Sequence, residues 1–173
     1  MPATTPSHIS SLPSSPIGPA QAELITGRTS MIVASRDAQL RPHVMRAVGC
    51  RLSDDRRRLT VLLPEEGGSE VLQDLRANQQ IAVVFSRPSS NRTIQLKGHD
   101  ATITPSGPDD QLLAERYLQG FIAEIGALGH PAEVAQTILG YDGALMQVHF
   151  TVGAAFEQTP GPGAGQPLPA AAA

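Results

Sequence analysis

Short apolar blocks separated by turn residues fill the first two thirds of the chain, and a longer helical rhythm follows them. Residues 30–35 are apolar and rich in β-branched side chains, and Arg36-Asp37-Ala38-Gln39 after them reads as a turn. Pro42 opens a second predicted strand over residues 43–52, where proline is tolerated because it sits at the strand's start. The polar turn Ser53-Asp54-Asp55-Arg56 leads into a third strand over residues 58–63. Connections this short favour antiparallel hairpins. Ser69 is a suitable N-cap residue for a helix running to about Asn78, with Glu70 in its favourable first turn. Val71, Leu72 and Leu75 give that helix one apolar face. Residues 81–86 form a fully apolar fourth strand, expected to be buried. In the fifth, Thr93, Gln95 and Lys97 alternate with Ile94 and Leu96, the period of a half-covered strand. Gly98 marks a bulge or bend before that strand continues to about Thr104.

Beyond Pro108 the period changes. Leu113, Tyr117 and Phe121 recur four apart, and Leu118, Ile122 and Ile125 broaden the same stripe into a helix. Pro131 at a first helical position and Gly140 past the end frame a second helix through Leu139. Residues 144–152 close the pattern as a last strand. Five strands, one small inserted helix, a two-helix segment and a closing strand predict an α+β domain built on a curled antiparallel sheet.

Composition marks the ends of that domain. Residues 1–20 and 160–173 are dominated by Pro, Ser, Thr, Gly and Ala, and read as flexible tails around a domain spanning residues 21–159. The 173-residue chain is 3% aromatic with no Trp, so its core must rest on aliphatic side chains. One cysteine, Cys50, leaves no intramolecular disulfide and no cysteine-built metal site, and reads as a small buried strand residue. No apolar run reaches the roughly 20 residues that span a bilayer, and no hydrophobic signal core follows Met1. A soluble, cytoplasmic protein without a membrane partner is the expectation.

The net charge of −3 is unevenly spread. Residues 28–97 hold 12 basic against 7 acidic side chains, and residues 98–173 hold 1 against 8. The overall sign argues against nucleic acid as a partner. A basic first half, almost all arginine, suits a small anionic ligand such as a phosphate. An acidic helical layer docking on a basic sheet explains the same asymmetry.

Hydrolase and metal motifs are missing from the sequence. His8, His43, His99, His130 and His149 never fall at helical ligand spacing, and no serine sits in a Gly-x-Ser-x-Gly elbow. The pairs Asp54-Asp55, Glu65-Glu66 and Asp109-Asp110 lie in turns or helix starts, where solvation or capping is the expected role. Three segments carry more. On the second strand, alternation sends Arg41, His43 and Met45 to one face and Val44 and Arg46 to the other. Gly67-Gly68-Ser69 leads into a helix N-terminus, where free N–H groups favour an anion. Residues 92–98 lay a polar row along the fifth strand. From residue types alone these describe either a phosphorylated planar cofactor's cradle or a solvated sheet face.

The order of these elements resembles the FMN-binding split β-barrel of the pyridoxamine 5'-phosphate oxidase-like superfamily. The resemblance covers residues 24–158. It rests on the segments 32–37, 41–44, 72–78, 83–86 and 92–98, and residues 155–161 are similar to the closing segment of a bacterial branch. It implies a homodimer with FMN in clefts between the subunits, and a flavin-dependent oxidoreductase as the activity. Arg41 and Arg46 match basic positions at the two ends of a flavin-contacting stretch. Ser69 matches a phosphate-binding position at the inserted helix, but Glu70 and Val71 stand where a basic pair is expected. Thr93 falls where a glutamine meets the flavin ring, with Gln95 two residues on; His43 either contacts ligand in the cleft or takes a core or surface placement. The basic C-terminal substrate segment is missing, so true pyridoxamine 5'-phosphate oxidase activity is not implied. The alternative is a non-enzymatic dimeric split barrel that has lost FMN or takes another small ligand.

Overall fold

The computed structural model describes residues 17–169; His8 and the rest of the segment before Ile17 lie outside it. In chain order the elements are α1 (Pro19–Ile25), β1 (Ser30–Arg36), β2 (Pro42–Arg46), β3 (Cys50–Leu52), β4 (Arg58–Pro64), α2 (Ser69–Asn78), β5 (Ile81–Ser86), β6 (Thr93–Gly98), β7 (Thr102–Pro105), α3 (Pro108–Gly126), α4 (Ala132–Leu139), β8 (Leu145–Thr151) and β9 (Ala154–Glu157). They build the α+β arrangement that the pattern predicts. A five-stranded sheet runs β2-β1-β5-β6-β9 and a four-stranded sheet runs β3-β4-β8-β7. Every pairing is antiparallel.

The core fills the space between the two sheets. Val33, Val83, Phe85 and Leu96 from the first sheet meet Leu59, Leu63, Val148 and Phe150 from the second, each with at most 1% of its surface exposed. Burial of this kind, at roughly 25 cal/mol per Å² of apolar surface, supplies the main driving force for folding. Helix α2 covers one end of the five-stranded sheet through Val71, Leu72 and Leu75. Helices α3 and α4 form a separate antechamber of packing around Phe121, Ile125, Ala135 and Leu139.

Chain crossings between the sheets correct the sequence pattern at two places. The single strand expected over residues 43–52 is two strands in different sheets. Ala47 N donates to Met31 O, and Val48 N donates to Leu62 O. The chain thus changes partner within two residues, and each N–H is satisfied by a different sheet. At Gly98 the expected bend is a full crossing, because the chain leaves β6 for β7. A Cβ on Gly98 would collide with the Phe150 ring and sit 2.8 Å from Thr151 O.

The ends also differ from the tails that composition suggests. Ile17 is fully buried and α1 starts at Pro19. Residues 165–168 run beside β9: Gly165 N donates to Glu157 O, Glu157 N to Gln166 O, and Leu168 N to Ala155 O. Pro131 is the N-cap of α4, one position earlier than the spacing predicts.

Candidate functional site

The five-stranded sheet has two unlike faces. Strand register puts Arg46, Ile32, Val84, Gln95 and Phe156 in one row across all five strands. Val44, Ala34, Ala82, Lys97 and Ala154 form the next row on the same face. Directly opposed residues share a face, and none of these ten is buried. Val44 is 66% exposed and Ile32 36%. Lys97 Nζ lies 4.8 Å above the Phe156 ring.

One border of this apolar face is polar. Ser30, Ser86 and Thr93 stand opposite one another in a third row. Arg46 Nη1 reaches over to donate to Ser30 Oγ at 2.8 Å, and the hydroxyls of Ser86 and Thr93 share a hydrogen bond of 2.8 Å. Thr93 also donates through Oγ1 to Asn91 O. Gln95 is one row inward, three strand intervals from Arg46, or roughly 14 Å at the usual strand spacing. Its amide bonds no other group among the described residues. Alternation along the sequence already separates Arg46 from Met45. Ser30 and Ser86 were legible by the same rule, since each is two residues from an outward-facing apolar side chain.

His43 faces the other way. Its Nδ1–H donates to Asp74 Oδ2 at 2.8 Å, and the same oxygen accepts from Ser35 Oγ at 2.7 Å. Asp74 and Ser35 are buried, while the His43 side chain is one-quarter exposed. The Asp74 hydrogen bond, then its charge, with Glu70 and Asp37 nearby, outweighs partial burial and raises the His43 pKa above its ordinary value. Serine and histidine both bond to the aspartate and not to each other, so this is no relay for a nucleophile. It pins α2 to β1 and β2. Asp74 lies 31 residues from His43, and nothing in either local pattern points to the other.

Arg41 precedes β2. Its backbone N–H donates to Asp37 Oδ1, and its guanidinium has no partner among the described residues. Ser69 is the first residue of α2, exposed, with Glu70 beside it. Sequence-predicted site residues therefore fall in three places: Arg46, Thr93 and Gln95 on the open face, Arg41 and Ser69 at the ends of β2 and α2, and His43 beneath α2.

A second polar cluster ties α3 to the four-stranded sheet. Asp110 is 2% exposed and pairs with Arg51, while its Oδ2 accepts from Gly107 N and Gln147 Nε2, both at 2.7 Å. Burial would raise its pKa, but the Gly107 N–H and the Arg51 guanidinium, with Gln147, together pull it below the usual carboxylate range. The capping role expected for Asp110 holds, and an ion pair is added to it. His149 sits between Thr60 Oγ1 and Thr104 Oγ1, at 2.9 and 3.0 Å. Burial comes first, then the Arg58 charge, in depressing its pKa. Among the described residues, no group of three His, Cys, Asp or Glu could hold a metal ion, and no helix is long and apolar enough to cross a membrane.

No family model and no curated protein matches this sequence. Solved structures do match its fold. An F420 reductase superposes with a TM-score of 0.55 at 13% identity, over 80% of this chain and 98% of that one. HupZ of Group A Streptococcus gives 0.51 at 20% identity, over 86% and 99%. A candidate pyridoxamine 5'-phosphate oxidase from Lactobacillus delbrueckii gives 0.51 at 14% identity, over 81% and 93%. The two antiparallel sheets, the helix inserted after β4 and the helix pair before β8 thus give this chain the split-barrel fold of the pyridoxamine 5'-phosphate oxidase-like proteins.

Proposed function

We propose that the chain is an FMN-binding, pyridoxamine 5'-phosphate oxidase-related protein that acts as a homodimer and serves a flavin-dependent oxidoreductase reaction. One observation carries this reading: a polar border of Arg46, Ser30, Ser86 and Thr93, hydrogen-bonded in two pairs, runs along an open sheet face that also carries Ile32, Val44, Val84 and Phe156. The donor set fits a phosphorylated planar group. Arg46 has one neutral partner and no carboxylate, and Arg41 and Gln95 keep their side-chain donors free among the described residues. Guanidinium forks suit phosphate oxygens, and Ile32, Val84 and Phe156 offer an apolar surface on which a planar ring can lie.

Bound FMN supplies the hydride or electron transfer. The chain's own residues bind and orient. Arg41 and Arg46 hold phosphate or ribityl oxygens, and Ser69 adds its hydroxyl with the free N–H groups of the α2 start. Thr93 and Gln95 hydrogen-bond a ring edge. His43, the sixth residue of the predicted set, acts through Asp74 by fixing α2, and with it the position of Ser69. The exposed Ile32 and Val44 are covered by a second copy of the chain, which closes the site from above.

A second reading, a dimeric split barrel that has lost FMN or takes another small ligand, is favoured by the acids at this end. Glu70 follows Ser69, and its field with those of Asp37 and Asp74 reaches His43. Titration of the purified chain with FMN, followed by the visible flavin band, separates the two. FMN uptake is expected, and Glu70→Lys replaces a repulsion of about 1 kcal/mol at roughly 4 Å with a comparable attraction, tightening FMN about thirtyfold. No uptake by either protein favours the second reading.

A further inference from the structure

A cleft of about 500 Å³ opens between the turn after α1, strand β3 and the middle of α3. Its charged lining is Arg28 from the turn and Arg116 from α3, and no carboxylate lines it among the described residues. Neither guanidinium has a hydrogen bond or an ion pair among the described residues. Arg28 also borders a cleft with Glu23 and Glu124, and Arg116 one with Asp109 and Asp110, yet in a chain of net charge −3 two cations with no paired carboxylate around one cavity are conspicuous.

The rest of the wall is apolar. Ile25 is buried, and Leu113 and Cys50 are half-buried. The Tyr117 ring is fixed by its hydroxyl, which donates to Thr29 O at 2.8 Å. Burial pushes the Cys50 thiol up to about 12, so it stays neutral and belongs to the floor. Gly120 keeps the α3 side open: a Cβ there would meet nothing closer than Arg28 Cγ at 3.6 Å.

Cations beside a low-polarity wall interact more strongly with an anion than cations in open water, because less solvent screens them. An apolar floor with a few convergent polar groups is the usual form of a small-molecule site. We propose that this cleft binds a small amphipathic anion, a short apolar body on the Ile25–Leu113–Tyr117 floor with a carboxylate or phosphate held by Arg28 and Arg116. The cleft shares no residue with Arg41, Arg46, Ser69, Thr93 or Gln95, so the inference stands apart from flavin binding.

Calorimetric titration of the full chain with n-octanoate, n-octyl phosphate and n-octanol tests it. Both anions should bind at one per chain, and the neutral alcohol about tenfold or more weaker. The ranking of the two anions identifies the head group. Arg28→Gln and Arg116→Gln should each weaken the anions about tenfold and leave octanol unchanged. Gly120→Leu should fill the cleft and abolish binding while the melting temperature holds or rises, since leucine favours a helix over glycine. Amide NMR shifts should centre on Gly27, Cys50 and Gly120. Silence with both anions, equal affinity for octanol, or wild-type binding in the three variants would overturn the proposal. FMN uptake in the same variants is read from the visible band, so failure of either site is seen without the other.

Discussion

The inner and outer faces of the five-stranded sheet are made by the same strands, yet they obey different rules. On the inner face Val33, Val83, Phe85, Ile94 and Leu96 are sealed against the second sheet. On the outer face Ile32, Val84 and Phe156 are just as apolar but remain in contact with water. A sheet that needed only to fold would put polar residues outside. An apolar surface that folding does not use is a surface kept for something else.

The sharpest test of that contrast is to cut the same kind of contact on each face. Phe85→Ala should cost about 3–5 kcal/mol of stability, whereas Val84→Ala, one residue away, should change it by no more than about 1 kcal/mol. Chemical denaturation of the monomeric state reads both. Equal losses would abolish the distinction between faces.

Next in size is the effect of a charge on the outer face. With the proposed second copy covering it, Val44→Asp would bury an unpaired carboxylate near its symmetry mate, and the dissociation constant of that dimer should rise about a hundredfold. Sedimentation over a concentration series measures this, with circular dichroism confirming an unchanged fold. A wild-type chain that stays monomeric throughout removes the second copy from the picture.

The smallest effect belongs to the polar pin on the inner side. The folded His43 pKa lies above its ordinary 6.5 because Asp74 bonds its charged form. The protonated pair therefore contributes fully below the unfolded value, and its contribution fades as pH rises through the raised folded value. NMR titration should find the His43 midpoint above 6.5, and Asp74→Asn should bring it back toward 6.5. A His43 midpoint untouched by that substitution would separate the ring from α2.

Most elements were legible because their residues speak locally. The period-2 row of β6 and the stripe of α3 each lie within a few residues of sequence. The expected cap at Ser69 is instead the first residue of α2 behind Gly68, with no side-chain cap, and the apolar β5 is covered on one face only. What stayed hidden depended on distant partners. The break at Ala47 and Val48 exists because Met31 and Leu62 belong to different sheets, and no residue near 47 announces that. The α1 turn of helix is short, has no side-chain cap, and lies in proline-rich sequence. Strand β9 is Ala-Ala-Phe-Glu, where alanine's weak strand preference conceals the pairing with β6. At the site, Arg46, Thr93 and Gln95 could be assigned to a face by alternation alone. The contacts of His43 with Asp74 and of Arg51 with Asp110, 31 and 59 residues apart, could not.

The proline-rich segment beyond β9 has a protective consequence. A sheet's outermost strand presents a ladder of bare amides and carbonyls on which a foreign strand can polymerise. Residues 165–168 occupy that ladder along β9, and Pro160, Pro162, Pro167 and Pro169 carry no N–H with which to extend it. The chain covers this margin of its sheet with a strip poor in backbone donors, which disfavours fibre growth from that edge.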